Sequence, residues 1–179
     1  MKKELIVIAG GPSTGKSTLL KALEASNFIC YPEISREVIK EAQEQGIDQL
    51  FLEDPLLFSE KLLNGRIKQY NEAMQENETV VFLDRGIPDV LAYLNYKGDK
   101  YPQKFVQACE CYQYSKIFVL PPWQEIYTTD TERYETFEQA TIIQQHLINT
   151  YESFGYNLIH LPKDTVENRL AIILEHLSK

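Results

Sequence analysis

Residues 10–17 constrain this 179-residue chain more than any other stretch. They read Gly10-Gly11-Pro12-Ser13-Thr14-Gly15-Lys16-Ser17, a match to the phosphate-loop pattern G-x-x-x-x-G-K-S/T. Background use of Gly, Lys and Ser/Thr gives under about one accidental match per hundred chains of this length, so chance is a poor explanation. The flanks narrow it further. Leu5–Ala9 is a short apolar run that reads as a strand buried on both faces, and Ser17–Ser26 reads as a helix. Glycines let the backbone turn tightly and aim successive N–H groups inward, and the positive end of the helix adds to the field. Residues Gly10 to Thr18 are therefore expected to cradle a polyphosphate. Lys16 would bridge the terminal phosphates and Ser17 would ligate Mg²⁺; a glycine turn without a ligand is the alternative.

Strand-like and helix-like patterns then alternate to the end. Phe28–Tyr31, Thr79–Leu83, Ile117–Leu120 and Leu158–Leu161 are further short apolar runs. Between them a helix is expected from around Pro32 to Gly46. A long one follows Asp54-Pro55, with Leu56, Leu63, Ile67, Tyr70 and Met74 along one side. Pro88 and Pro102 sit where helices can begin. Ala140, Ile143, Leu147, Tyr151 and Phe154 make another stripe, and Asp164-Thr165-Val166-Glu167 resembles a capping arrangement before a last helix. Five short strands between helices mean an open parallel α/β sheet in one domain spanning residues 1–179.

Composition excludes several functions. Eighteen Lys and Arg against 26 Asp and Glu leave a charge of −8, which argues against bulk nucleic acid or an anionic membrane as partner. A nest of amides with one lysine answers the acidity, because its attraction is local. Cys30, Cys109 and Cys111, with three scattered histidines, make neither a disulfide framework nor a zinc site. The first apolar stretch is too short for a signal peptide and no run is long enough to span a bilayer, so a cytoplasmic protein is expected. The eleven tyrosines fall mostly on helical stripes and read as core.

Asp84 ends the run Thr79–Leu83, where a carboxylate can reach the metal or cap a helix. A guanine reader N-K-x-D is absent: Asn95-Tyr96-Lys97-Gly98-Asp99 has the letters at the wrong spacing, and Asp84-Arg85-Gly86 is one residue short of D-x-x-G. The compact kinase-like branch remains.

Gly10–Ser17, Glu33-Ile34-Ser35-Arg36-Glu37, Asp84-Arg85-Gly86-Ile87-Pro88-Asp89, Leu120-Pro121-Pro122-Trp123 and Asp130-Thr131-Glu132-Arg133 together resemble the AAA-type predicted ATPases. That group is related to the ribosylnicotinamide kinase domain and more loosely to thymidylate and deoxynucleoside kinases. The resemblance implies a P-loop NTPase three-layer sandwich with a five-stranded parallel sheet, ATP with Mg²⁺, and a short lid about residues 124–138. It points to a small metabolite, nucleoside-like, as phosphoryl acceptor, and leaves a homodimer open. Glu33 becomes the general base or substrate holder, or else only a negative group at a helix start. Arg36 would hold a substrate anion or pair with Glu33 or Glu37. Arg85 would bind the acceptor or a phosphate through its fork. Asp89 would touch substrate or cap a helix, and Arg133 is the lid arginine or a solvated charge. One lid arginine, where monophosphate kinases bring several, leaves room for an ATPase or a nucleotide-gated switch acting with a protein partner. A module that binds ATP without turnover is also allowed. Leu161–Thr165 lies where this fold often brackets the base.

Overall fold

The computed structural model describes residues 2–127 and 135–177. Within them β1 (Glu4–Ala9) leads through the phosphate loop into α1 (Lys16–Ala25) and β2 (Ile29–Tyr31). Helices α2 (Ser35–Glu44), α3 (Leu50–Glu53) and α4 (Pro55–Gln75) precede β3 (Val80–Asp84). Then come α5 (Ile87–Lys97), α6 (Lys104–Cys111), β4 (Lys116–Val119), a 3₁₀ turn at Gln124–Ile126, α7 (Phe137–Ser153), β5 (Leu158–His160) and α8 (Val166–Leu177). The five strands form one parallel sheet in the order β2-β3-β1-β4-β5. No helix among the described residues is long and apolar enough to cross a membrane.

Strand periodicity builds the layers. Successive side chains of β1 point to opposite faces. Leu5, Val7 and Ala9 enter the core beneath α2 to α7, whereas Ile6 and Ile8 pack with Leu19, Leu23 and Ile173 from α1 and α8. Helices thus cover both faces of the sheet, and its central strands are apolar on both sides, as an all-parallel sheet requires. In the register Ile8 lies opposite Asp84 and Ala9 opposite Val119. The phosphate loop, Asp84 and the segment after β4 therefore leave the sheet at one edge, its carboxyl end, where ligands of open α/β folds sit.

Two local signals act as their chemistry dictates. Asp54 caps α4 by accepting from the Leu57 N–H at 2.9 Å, with Pro55 in the first turn. Thr136 and Gln139 exchange hydrogen bonds at the start of α7. The buried face of α4 includes most of the stripe expected and is wider: Leu63 is in the core and Leu56, Ile67 and Tyr70, half-buried, pack against it, whereas Met74, 44% exposed, stays out. Phe58, Leu62, Arg66, Gln69 and Ala73 are buried as well. The face extends to Arg66 and Gln69 because both find polar partners at the end of the sheet, Glu33 and the Pro32 carbonyl. Helix α2 starts at Ser35, three residues later than Pro32, because Glu33 holds its first amides.

Candidate active site

The loop between β1 and α1 is shaped by two glycines. Gly15, at φ 91°, stands at the N-terminus of α1 in a conformation that penalises a side chain. A Cβ on Gly10 would lie 2.9 Å from the Leu120 carbonyl oxygen, so β1 can leave the sheet beside β4 only as glycine. Thr14 closes the turn by donating its hydroxyl to the Gly11 carbonyl at 3.1 Å. Lys16 folds back over the loop, its ammonium donating to the Gly11 carbonyl at 2.7 Å. Burial, with Arg85 nearby, pulls its pKa down to about 8. Ser17 and Thr18 are exposed in the first turn of α1, and the loop and these residues line a cavity of about 920 Å³. Helix α7 steadies the loop: Gln144 accepts from the Gly11 N–H at 2.9 Å and donates to the Leu120 carbonyl at 3.1 Å.

Asp84 and Arg85 line the same cavity from the end of β3. The Asp84 carboxylate is 4% exposed, and its Oδ1 has no hydrogen-bond partner among the described residues. Burial pushes its pKa up, opposed by the charge of Lys16. Arg85 has φ 70°, a left-handed conformation that costs a non-glycine residue about 1–3 kcal/mol when sparsely populated. Two ties hold it there. Its N–H donates to the Ile8 carbonyl at 3.1 Å, and its side chain pairs closely with Glu33.

Glu33, beyond the end of β2, is the hub. Its Oε1 accepts from Arg66 at 2.8 Å and from the Ile34 and Ser35 N–H groups at 3.0 Å each. Its Oε2 meets Arg85. Burial alone would raise the carboxyl, but Arg66 and Arg85 outweigh it and hold it at about 2. A carboxylate offers about four acceptor sites. Oε1 is filled by three donors, whereas Oε2 has one among the described residues, leaving room for a hydroxyl.

The remaining predicted residues fall as follows. Asp89 accepts from the Gly86 N–H at 2.8 Å and from the Tyr151 hydroxyl at 2.5 Å, so it caps α5 while standing 3.7 Å from Arg85. Arg36 is exposed in the first turn of α2 on the rim of the cavity. Pro12 and Ser13 line that cavity with Thr14 and Gly15. Arg133 lies outside the described residues. The far walls are apolar: Phe51, Phe58, Val90 and Tyr93.

Sequence patterning misses Arg66, Gln144 and Arg169. Arg66 is 3% exposed and bridges Glu33 to the Asp84 carbonyl, 3.0 Å away. A signal existed: Phe58, Leu62, Arg66, Gln69 and Ala73 are spaced by four and three, one continuous helical face.

The fold has many solved counterparts. A deoxyadenosine kinase from M. mycoides superposes with a TM-score of 0.73 at 13% identity, covering 97% of this chain and 98% of the other. NadR protein in complex with NR gives 0.73 at 18% identity over 99% of this chain, which spans 51% of that protein. Thymidylate kinase from Candida albicans gives 0.65 at 16% identity, covering 99% and 92%. No curated protein matches the sequence. The AAA domain family model matches residues 5–169, almost the whole chain, and the chain belongs to that AAA domain family.

Proposed function

We propose that this protein transfers the γ-phosphoryl group of ATP to a hydroxyl of a small, nucleoside-like metabolite. One observation carries the proposal: a carboxylate with a spare acceptor site, Glu33 Oε2, shares a cavity with the phosphate loop and a set of apolar walls. Such a chamber suits a flat or sugar-like acceptor with a hydroxyl at the carboxylate. The kinase fold of the structural counterparts supports the same direction.

Mg²⁺ suits the residues present. Among the described residues no group of three His, Cys, Asp or Glu could hold a metal without substrate oxygens. Magnesium is commonly bound by one or two protein ligands plus phosphates and water. The unpartnered Asp84 Oδ1 and the exposed Ser17 hydroxyl fit that pattern. When bound, the ion offsets negative charge on the β- and γ-phosphate oxygens.

The chain's own groups supply the rest. The loop amides and Lys16 hold the phosphates, and the Lys16 ammonium exchanges its Gly11 carbonyl partner for a phosphate oxygen. Glu33 orients the acceptor hydroxyl. A carboxyl held at about 2 is a weak base, so holding, more than proton abstraction, is its part. Phosphoryl transfer tolerates this, because its loose transition state depends mainly on positioning and charge. Arg85 and Arg66 fix the carboxylate.

The test is ATP turnover with Mg²⁺, with and without a pool of nucleosides, followed by mass analysis of products. Stimulated turnover with a phosphorylated nucleoside supports the proposal. Unstimulated hydrolysis points instead to an ATPase or switch working with a protein partner.

A further inference from the structure

The first turn of α8 sends one arginine to the back of the phosphate loop. Arg169 is 2% exposed. Its Nε donates to the Pro162 carbonyl at 2.8 Å and its Nη1 to the Thr14 carbonyl at 2.9 Å. Its guanidinium carbon stands 5.0 Å from the centre of the Trp123 ring. Nη2 is buried without a hydrogen-bond partner among the described residues. A buried cation that leaves a donor unsatisfied is costly, and it persists where a second charge or a geometric constraint makes use of it.

Peptide geometry supplies the constraint. In a trans peptide the C=O and the following N–H point in opposite directions, and the described chain has no cis bond. Arg169 holds the Thr14 carbonyl from behind the loop, so the Gly15 N–H of the same peptide faces the other way. Gly15 is also the residue that Arg169 crowds: a Cβ there would lie 3.0 Å from Nη1.

We infer that Arg169 is a positioning residue for the phosphate cradle, fixing the Thr14–Gly15 peptide with its N–H toward the polyphosphate and placing a buried positive charge behind it. Through Pro162 the same side chain ties the loop to residues 161–165. This rests on residues 10–17 being a polyphosphate site.

Tripolyphosphate with Mg²⁺ probes the cradle without a base. By calorimetry, Arg169→Met should weaken tripolyphosphate and ATP by about 10- to 100-fold, the worth of a charged hydrogen bond. Arg169→Lys keeps the charge without the fork and should recover part of that loss. In the ligand-free Arg169→Lys protein, the Gly15 amide resonance should shift and exchange faster than in wild type, while amides of β3 keep theirs. If Arg169→Met fails to fold, Arg169→Lys decides. Wild-type tripolyphosphate affinity and an unmoved Gly15 amide in Arg169→Lys would overturn the inference. Failure of the wild type itself to bind tripolyphosphate would instead overturn the assignment of the loop.

Discussion

Replacing Arg66 with methionine tests whether the Glu33 hub is an ionic network or an incidental contact. Arg66 is 3% exposed and Glu33 21%, with 2.8 Å between nitrogen and oxygen. Charges about 4 Å apart interact by about 4 kcal/mol at an effective dielectric of about 20. Arg85 remains beside Glu33 and water reaches part of it, so about half of that, about 2 kcal/mol, is the expected coupling between Arg66 and Glu33. Arg66→Met also loses the bond to the Asp84 carbonyl, and its total cost should be about 3 kcal/mol, at the low end for breaking a buried pair. Glu33→Gln alone should cost about 2 kcal/mol, and the double variant about 3 rather than about 5. Urea unfolding at pH 7 of the four proteins closes the cycle. Strict additivity of the two losses would show that the two side chains do not act as a pair.

Further outcomes follow from the same geometry. Glu33 is held at about 2 against its ordinary 4.5, so the folded state binds this proton more weakly than the unfolded chain. Its stabilisation is complete above about pH 4.5 and lost as pH falls toward 2; acid unfolding of Glu33→Gln should be correspondingly less steep. Lys16→Ala should abolish measurable nucleotide binding while leaving the fold intact by circular dichroism, whereas Glu33→Gln should spare ATP affinity and cut transfer. Gly15→Ala should lower stability by about 1–3 kcal/mol through its positive φ and the contact with Arg169, and weaken ATP as well; unchanged melting and affinity would count against that geometry.

Much of the fold was legible because its signals are local. Each of the five strands is a short apolar run, and the residues that start α4 carry their cap in sequence, Asp54-Pro55. The loop glycines are equally legible, since the turn demands them wherever it occurs. The short α3 and the 3₁₀ turn at Gln124–Ile126 carry no such periodicity. Arg66 and Arg169 were hidden for a different reason. On a helix, a buried arginine and a solvated one have the same letters around them, and only the partner decides: Glu33, 33 residues away, for one and the Thr14 carbonyl, 155 residues away, for the other. Asp89 shows the converse. Its capping role follows from the local sequence, but its bond from Tyr151 arises only when α7 packs on α5.

Amide resonances of isotopically labelled protein, followed while Mg²⁺-ATP is added, probe the phosphate cradle most directly. The amides of residues 10–18, Pro12 aside, should show the largest displacements, with Gly15, Lys16 and Ser17 foremost and the far end of the sheet unmoved. Saturating nucleotide that leaves those amides in place, or moves only residues remote from the loop, would contradict the account.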